Sequence, residues 1–153
     1  MAACPRSAPE RPEAGVGRSR AIGGLALPRR RPGAVNIEAV RASVLVVDDD
    51  PVFRRLAARM LEEAGFAVAG QAADARAAVA AAVATRPGGI LVDLGLPDRA
   101  GAELARELLA LPWCPRILLT SADADASDVG DGALRFVAKE DLPNAPLLAL
   151  LGP

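Results

Sequence analysis

Apolar runs and helical patterns alternate along the chain from Ser43 to its last residue. Five short apolar runs predict strands over residues 44–47, 66–70, 90–92, 117–119 and 134–138. Helical spacing of apolar residues predicts three helices between these strands and a brief helix near residues 147–150. The polar stretch over residues 122–132 holds at most a short helix. Strands that alternate with helices are typical of a parallel sheet.

The ends and inner faces of the helices follow from a few residues. Asp50 suits the cap of the first helix, Pro51 its first position and Gly65 its end, near residue 64. The second helix begins after a capping Asp74 and stops before Pro87. The residues expected to face the core in the first and third helices are Phe53, Leu56, Ala57, Met60, Ala64, Leu104, Leu108 and Leu111.

Residues 1–42 differ in composition from the remainder, and we expect a disordered tail followed by one domain over residues 43–153. The tail is rich in proline, glycine and arginine, and it holds eight arginines against three acidic residues. Residues 43–153 hold ten basic residues against sixteen acidic ones, a balance that disfavours nucleic-acid binding. No apolar run approaches the roughly 18 residues that a membrane span requires.

Composition narrows the chemistry further. The chain has no histidine, which excludes histidine-based catalysis and histidine metal ligands. Its two cysteines are too few for a disulfide framework or a zinc site, which favours a reducing compartment. We therefore expect a cytoplasmic protein with no membrane partner.

Polar side chains follow four of the predicted strands. Asp48 and Asp49 follow the first strand, and Asp93 follows the third. Thr120 follows the fourth strand, and Lys139, the only lysine in the chain, follows the fifth. Because the carboxyl ends of parallel strands lie at one edge of the sheet, we expect these five side chains to converge there.

Carboxylates crowded at one edge repel one another unless a cation or a raised pKa relieves the repulsion. Oxygen ligands suit a hard divalent cation, and Mg²⁺ suits a site with few protein ligands and several waters. Such an ion, the Lys139 ammonium and the Thr120 hydroxyl together would form a cradle for a phosphoryl group. Asp93 would then act as a nucleophile and become an acyl phosphate.

Each residue also has a purely structural interpretation. Asp48 and Asp49 would serve as further caps of the first helix, and Asp93 as a turn residue before the third helix. Thr120 would be a satisfied hydroxyl at a strand end, and Lys139 a solvated surface side chain. Their predicted convergence favours the chemical interpretation.

Four motifs occur in order along the chain. They are Val-Val-Asp-Asp after the first strand, Ile-Leu-Val-Asp-Leu-Gly-Leu-Pro-Asp-Arg-Ala-Gly around Asp93, Leu-Leu-Thr-Ser at the fourth strand and Phe-Val-Ala-Lys at the fifth. Together they resemble the receiver domain of bacterial two-component response regulators, over residues 43–153. The resemblance implies a doubly wound α/β fold of flavodoxin-like type, with five parallel strands in the order 2-1-3-4-5 and helices on both faces.

The resemblance also implies a function, which is that of a phosphoacceptor signalling domain rather than an enzyme. Asp93 would accept a phosphoryl group from the phosphohistidine of a sensor histidine kinase or a phosphotransfer protein. Asp49, Asp93 and the backbone carbonyl of Gly95 would bind Mg²⁺ directly, whereas Asp48 would act mainly through water.

A switch and an altered output follow from the same resemblance. Lys139 would pair with the phosphoryl oxygens, Thr120 would move to hydrogen-bond them, and the ring of Phe136 would turn inward as Thr120 shifts. The fourth and fifth helices are expected to be short, which alters the surface that this family generally uses for output. We expect signalling to a downstream protein, with no DNA-binding domain on this chain.

Two other functions stay open at this point. The first is a receiver-like interaction module that works without phosphorylation. The second is a hydrolase of the haloacid-dehalogenase type, which would use Asp48 and Asp50 as its Asp-x-Asp pair, although Pro51 follows where that family usually has glycine. A dinucleotide binder is disfavoured because no glycine-rich loop follows the first strand.

Overall fold

A computed structural model of the chain describes residues 42–123 and 134–153. Five parallel strands form one sheet: β1 (Ser43–Val47), β2 (Ala67–Ala72), β3 (Gly89–Asp93), β4 (Arg116–Ser121) and β5 (Arg135–Ala138). Their order is β2-β1-β3-β4-β5, which confirms the predicted flavodoxin-like sheet. The predicted strands are all present, with ends displaced by no more than two residues.

Within the described residues, four α-helices and one 3₁₀ turn connect or follow these strands. The helices are α1 (Pro51–Glu63), α2 (Ala75–Thr85), α3 (Gly101–Leu109) and α4 (Leu147–Leu151), and the 3₁₀ turn spans Leu142–Asn144. The described helices include none that is long and apolar enough to cross a membrane. The brief helix predicted near residues 147–150 is α4. The predicted tail, apart from Ala42, and most of the polar stretch between β4 and β5 lie outside the described residues.

The core consists of two apolar layers, one on each face of the sheet. Side chains alternate between the faces along a strand, so Leu45 and Val47 of β1 enter the layer beneath α2 and α3, whereas Val44 and Val46 enter the layer beneath α1 and α4. Strands β1 and β3 are buried nearly throughout. This double burial explains their continuous apolar runs and fixes the strand ends at one edge of the sheet.

The predicted signals at the ends of α1 and α2 are confirmed. The Asp50 carboxylate accepts a hydrogen bond from Val52 N at 2.8 Å, and Asp74 accepts one from Ala77 N at 2.7 Å. Gly65 follows α1 with a φ of 95°, a backbone conformation that favours glycine. A helix that starts immediately after Asp50 holds the acidic residues before it at the end of β1.

One expected core position is wrong, and the third helix ends earlier than expected. Leu56 is 52% exposed, because α1 is rotated so that Ala57, Ala58 and Leu61 face the sheet. Leu111 lies beyond α3 and contacts the core from the following turn. A proline follows Leu111, and the residue before a proline disfavours helical backbone, so the helix stops earlier than the apolar spacing suggests.

Candidate functional site

The edge formed by the carboxyl ends of the strands brings the predicted site residues together. Asp48 follows β1, and Asp93 ends β3. Thr120 is the penultimate residue of β4, and Lys139 follows β5. Asp93 and Thr120 are register partners on adjacent strands, and Leu94 N donates to the Thr120 carbonyl at 2.9 Å. The convergence predicted for these side chains is therefore present in the described part of the chain.

Asp48 is buried, and both oxygens of its carboxylate are engaged. Its Oδ1 accepts a hydrogen bond from Asp50 N at 2.8 Å, and its Oδ2 lies 2.6 Å from Lys139 Nζ. The Asp48 amide in turn donates to the Ala72 carbonyl at 3.1 Å, which continues the pairing of β1 with β2 beyond the strand. These contacts hold the Asp48 carboxylate in a buried position at the edge of the sheet.

Asp93 is also buried, with one carboxylate oxygen toward the lysine and the other toward its own loop. Its Oδ1 lies 3.2 Å from Lys139 Nζ, and its Oδ2 accepts from Gly95 N at 3.1 Å. Removal from water is the largest influence on this carboxyl and raises its pKa; Lys139 opposes that effect and the charge of Asp48 adds to it. The net pKa of Asp93 is above that of an ordinary aspartate.

Lys139 connects the two buried carboxylates. Its amide donates to the Ser121 carbonyl at 2.9 Å, which places the side chain at the end of β5 beside β4. Burial by itself lowers the pKa of the ammonium, but the hydrogen bond from Lys139 to Asp48 and the charge of Asp93 outweigh it, so the pKa of Lys139 is raised. A surface-lysine interpretation does not fit a side chain that is 18% exposed and paired twice.

Thr120 has a buried hydroxyl without a partner. Its Oγ1 makes no hydrogen bond with any residue that the structure describes, although the residue is only 1% exposed. A buried hydroxyl without a partner costs free energy, which makes it a ready donor for an oxygen that enters the site. The interpretation of Thr120 as a satisfied strand-end hydroxyl therefore does not fit its surroundings.

Phe136 is half-buried in β5 and packs against the core layer beneath α2 and α3. Its register partner on β4 is Leu119, the residue before Thr120. The backbone of Phe136 therefore lies one ladder position from that of Thr120. The role of its ring in a switch stays a prediction.

The acidic residues offer oxygen ligands at a spacing that fits a divalent cation. Carboxylate oxygens of Asp48, Asp49 and Asp93 lie within 4.8 Å of one another, and Asp49 is exposed. The Lys139 ammonium pairs with two of these three carboxylates, those of Asp48 and Asp93, so a second positive charge would relieve the remaining repulsion. The donor set consists of oxygens alone, as Mg²⁺ prefers.

Contacts from two residues in the first turn of α1 were not predicted. Arg54 Nη1 donates to the backbone carbonyls of Asp48 and Asp49, at 2.6 and 3.1 Å, and so braces the acidic turn. The ring of Phe53 lies 4.4 Å, centroid to Nζ, from Lys139. The sequence offers only one indication of these contacts, which is that both residues lie one turn after the cap of α1. The helical pattern itself assigns Phe53 to the core and Arg54 to solvent.

Two further residues support the loop after Asp93. Gly101 N donates to the Leu94 carbonyl at 3.0 Å, and a Cβ at Gly101 would overlap the Asp93 carbonyl oxygen. Asp98 accepts hydrogen bonds from Ala75 N at 2.9 Å and Arg76 N at 3.1 Å, at the start of α2. The hydrogen bond from Ala75 is the largest influence on Asp98 and lowers the pKa of its carboxyl.

Comparison of the sequence with protein families shows which proteins this chain is similar to. A family model described as the response regulator receiver domain matches residues 44–144. A protein-glutamate methylesterase/protein-glutamine glutaminase of Anaeromyxobacter dehalogenans is 39% identical over 110 residues, which cover 71% of this chain and 32% of that protein. The probable transcriptional regulatory protein TcrX of Mycobacterium tuberculosis is 37% identical over 83 residues, which cover 54% of this chain and 35% of TcrX. The chain thus spans about a third of the length of these relatives.

Solved structures agree with the fold. The chemotaxis protein CheY4 of Vibrio cholerae superposes with a TM-score of 0.63 at 27% identity, over 72% of this chain and 99% of that one. The response regulator TrrA of Thermotoga maritima, solved in complex with Mg²⁺ and BeF, gives a TM-score of 0.55 at 25% identity, over 63% and 84% of the two chains.

Proposed function

The chain belongs to the response regulator receiver family, and on that premise we propose that it is the phosphoacceptor of a two-component phosphorelay. Members of this family are signalling domains, so the proposed function is that of a switch rather than an enzyme. The observation that carries it is the position of Asp93, whose buried carboxylate lies against the Lys139 ammonium and beside the unpartnered hydroxyl of Thr120. The donor would be a sensor histidine kinase or a phosphotransfer protein.

The proposed reaction moves one phosphoryl group. A carboxylate oxygen of Asp93 attacks phosphorus, the bond from phosphorus to the donor's imidazole nitrogen breaks, and Asp93 becomes an acyl phosphate. Lys139 supplies positive charge to the phosphoryl oxygens as it leaves Asp93, while its contact with Asp48 keeps it within the site. The Thr120 hydroxyl donates to a second phosphoryl oxygen and gains the partner that it lacks.

We assign the cation site to the same edge. Asp49, Asp93 and the Gly95 carbonyl would hold Mg²⁺ directly, and Asp48 would contact it through water. The bound ion would neutralise charge on both the carboxylate and the incoming phosphoryl group. TrrA, a relative in fold, was solved with Mg²⁺ and BeF, which supports this assignment.

The proposed output is a change of surface. As Thr120 moves toward the phosphoryl group, the space beside β4 changes, and the ring of Phe136 on the neighbouring strand would turn inward to fill it. The altered β4–β5 face would then bind a downstream protein. A cytoplasmic setting belongs to this proposal, since sensor kinases draw their phosphoryl group from ATP.

Treatment of the full chain with acetyl phosphate and Mg²⁺ tests the proposal. Intact-mass spectrometry should detect one added phosphoryl group, lost when Mg²⁺ is removed and absent from Asp93→Asn. Asp141→Asn removes an exposed carboxylate outside the site and should be labelled like the wild type. Lys139→Ala should retain some labelling but lose the surface change.

Two results would overturn the proposal. Absence of labelling, together with absence of a response to beryllofluoride and Mg²⁺, would favour a receiver-like module that works without phosphorylation. Turnover of a phosphate ester through Asp48 and Asp50 would favour the hydrolase alternative. The engagement of Asp50 as the cap of α1 counts against that second outcome.

A further inference from the structure

Lys139 has a third neighbour in addition to its two carboxylates. The centroid of the Phe53 ring lies 4.4 Å from Nζ, within the range at which an ammonium is attracted to an aromatic face. The same Nζ lies 2.6 Å from Asp48 Oδ2 and 3.2 Å from Asp93 Oδ1. The ammonium therefore contacts two carboxylates and one ring.

The ring and the lysine come from opposite parts of the chain. Phe53 belongs to the first turn of α1, whose start is fixed by the Asp50 cap, whereas Lys139 follows β5. Phe53 is half-buried and packs against the core layer beneath α1, so its position is set by the core. A ring held in this way is a fixed surface against which a flexible side chain can be ordered.

Lysine needs such ordering more than other site residues. Its long side chain loses rotamer entropy when it is held in one position, and its ammonium is a point charge with no preferred direction of approach. Two carboxylates attract it but leave it free to swing toward solvent between them. A ring on a further side of the ammonium disfavours that movement.

We infer that Phe53 is a positioning residue, which holds the Lys139 ammonium against Asp48 and Asp93 through the face of its ring. The contact itself is independent of phosphorylation. Its consequence for phosphoryl transfer rests on the function proposed above, because only then does Lys139 meet a phosphoryl oxygen.

The composition of the chain makes the contact directly observable. Lys139 is the only lysine, so the full chain labelled with ¹³C-lysine gives a single set of side-chain resonances. A ring face next to Nζ should shift the Cε protons of Lys139 upfield in the wild type. Phe53→Leu, which keeps an apolar side chain but removes the ring, should abolish that shift. Phe53→Tyr, which keeps the ring, should retain it.

A matched control separates this role from a general contribution to packing. Met60 lies on the same helix, is half-buried and packs against the same core layer, so Met60→Leu should leave the Lys139 resonances unchanged. Thermal unfolding by circular dichroism shows whether each variant folds. If Phe53→Leu does not fold, Phe53→Met serves in its place.

A kinetic measurement follows the same variants. The rate of labelling by acetyl phosphate with Mg²⁺ should fall about two- to fivefold in Phe53→Leu, as expected for an exposed or half-buried cation–π contact, and return in Phe53→Tyr. Lys139 shifts that are the same in wild type and Phe53→Leu would overturn the inference, as would equal labelling rates. If the wild type is not labelled at all, the proposed function fails, and the resonances alone decide whether Phe53 positions the lysine.

Discussion

Asp98 links two loops that are distant along the chain and adjacent in space. Its carboxylate accepts from Ala75 N, 23 residues earlier, and so adds a second anionic cap to α2 beside that of Asp74. The start of α2, which follows β2, is thereby tied to the loop that follows Asp93. Backbone N–H groups at a helix start favour a negative charge, which explains the lowered pKa of Asp98.

Replacement of Asp98 with asparagine should lower the free energy of unfolding at neutral pH. Because the folded-state pKa lies below the usual value of about 3.9, the stabilising effect of the charge is present above that value. It is lost as the pH falls through the folded-state pKa. Urea unfolding from pH 7 to pH 3 should therefore show a difference between wild type and Asp98→Asn that shrinks with acidity.

Glu62→Gln provides the control, because Glu62 is exposed on α1 and lies outside this contact. A difference between wild type and Asp98→Asn that stays constant from neutral to acidic pH would contradict the charge-based explanation.

The site residues differ in how far the sequence reveals them. Asp48, Asp93, Thr120 and Lys139 could be predicted because each follows an apolar run, and parallel strands bring such positions to one edge. Phe53 could not, because its importance depends on a residue that follows β5, and a helical pattern carries no information about that contact.

At the scale of elements, α3 approaches β3 unusually closely. Gly101 begins the helix and is buried, and a side chain there would occupy the space of the Asp93 and Leu94 backbone. The element pattern could be predicted, including the strand order implied by the resemblance. The rotation of α1 could not, since Leu56 and Leu61 are both apolar and only packing against β1 decides which is buried.

Gly101→Ala should destabilise the fold by about 1–3 kcal/mol, the usual cost of overpacking a filled site, and should displace Asp93. Chemical unfolding measures the first effect, and the rate of labelling by acetyl phosphate measures the second. Gly88→Ala is the matched control, because its added Cβ would meet its nearest neighbour, the Ser43 carbonyl oxygen, at an ordinary 3.8 Å. Equal stability of the two variants would show that α3 can move away from β3.

At the scale of the molecule, the carboxylates buried at the strand ends lower the free energy of unfolding, whereas the apolar core raises it. Asp93 and Asp48 are buried as a pair of like charges that share one lysine, and the raised pKa of Asp93 records the cost. A ligand that binds only the folded state and neutralises this edge therefore stabilises the whole domain.

Magnesium should raise the midpoint of thermal unfolding in a concentration-dependent manner. At a hundredfold excess over its dissociation constant the gain would be about 2.7 kcal/mol. Asp49→Asn should greatly reduce the gain, because an exposed carboxylate of the oxygen cluster is lost without disturbing the buried pair. Glu63→Gln, on the exposed end of α1, should keep it. A gain of equal size in both variants would place the ion elsewhere.

The lone ε-amino group has a practical consequence. Apart from the chain's amino terminus, Lys139 is the sole target for amine-reactive esters, so coupling to a biosensor chip through lysine would anchor the molecule by its own pocket. Its raised pKa leaves little free base for acylation at neutral pH. Immobilisation therefore requires attachment through a different group. The slow acylation of Lys139 at alkaline pH would report whether a ligand occupies the site.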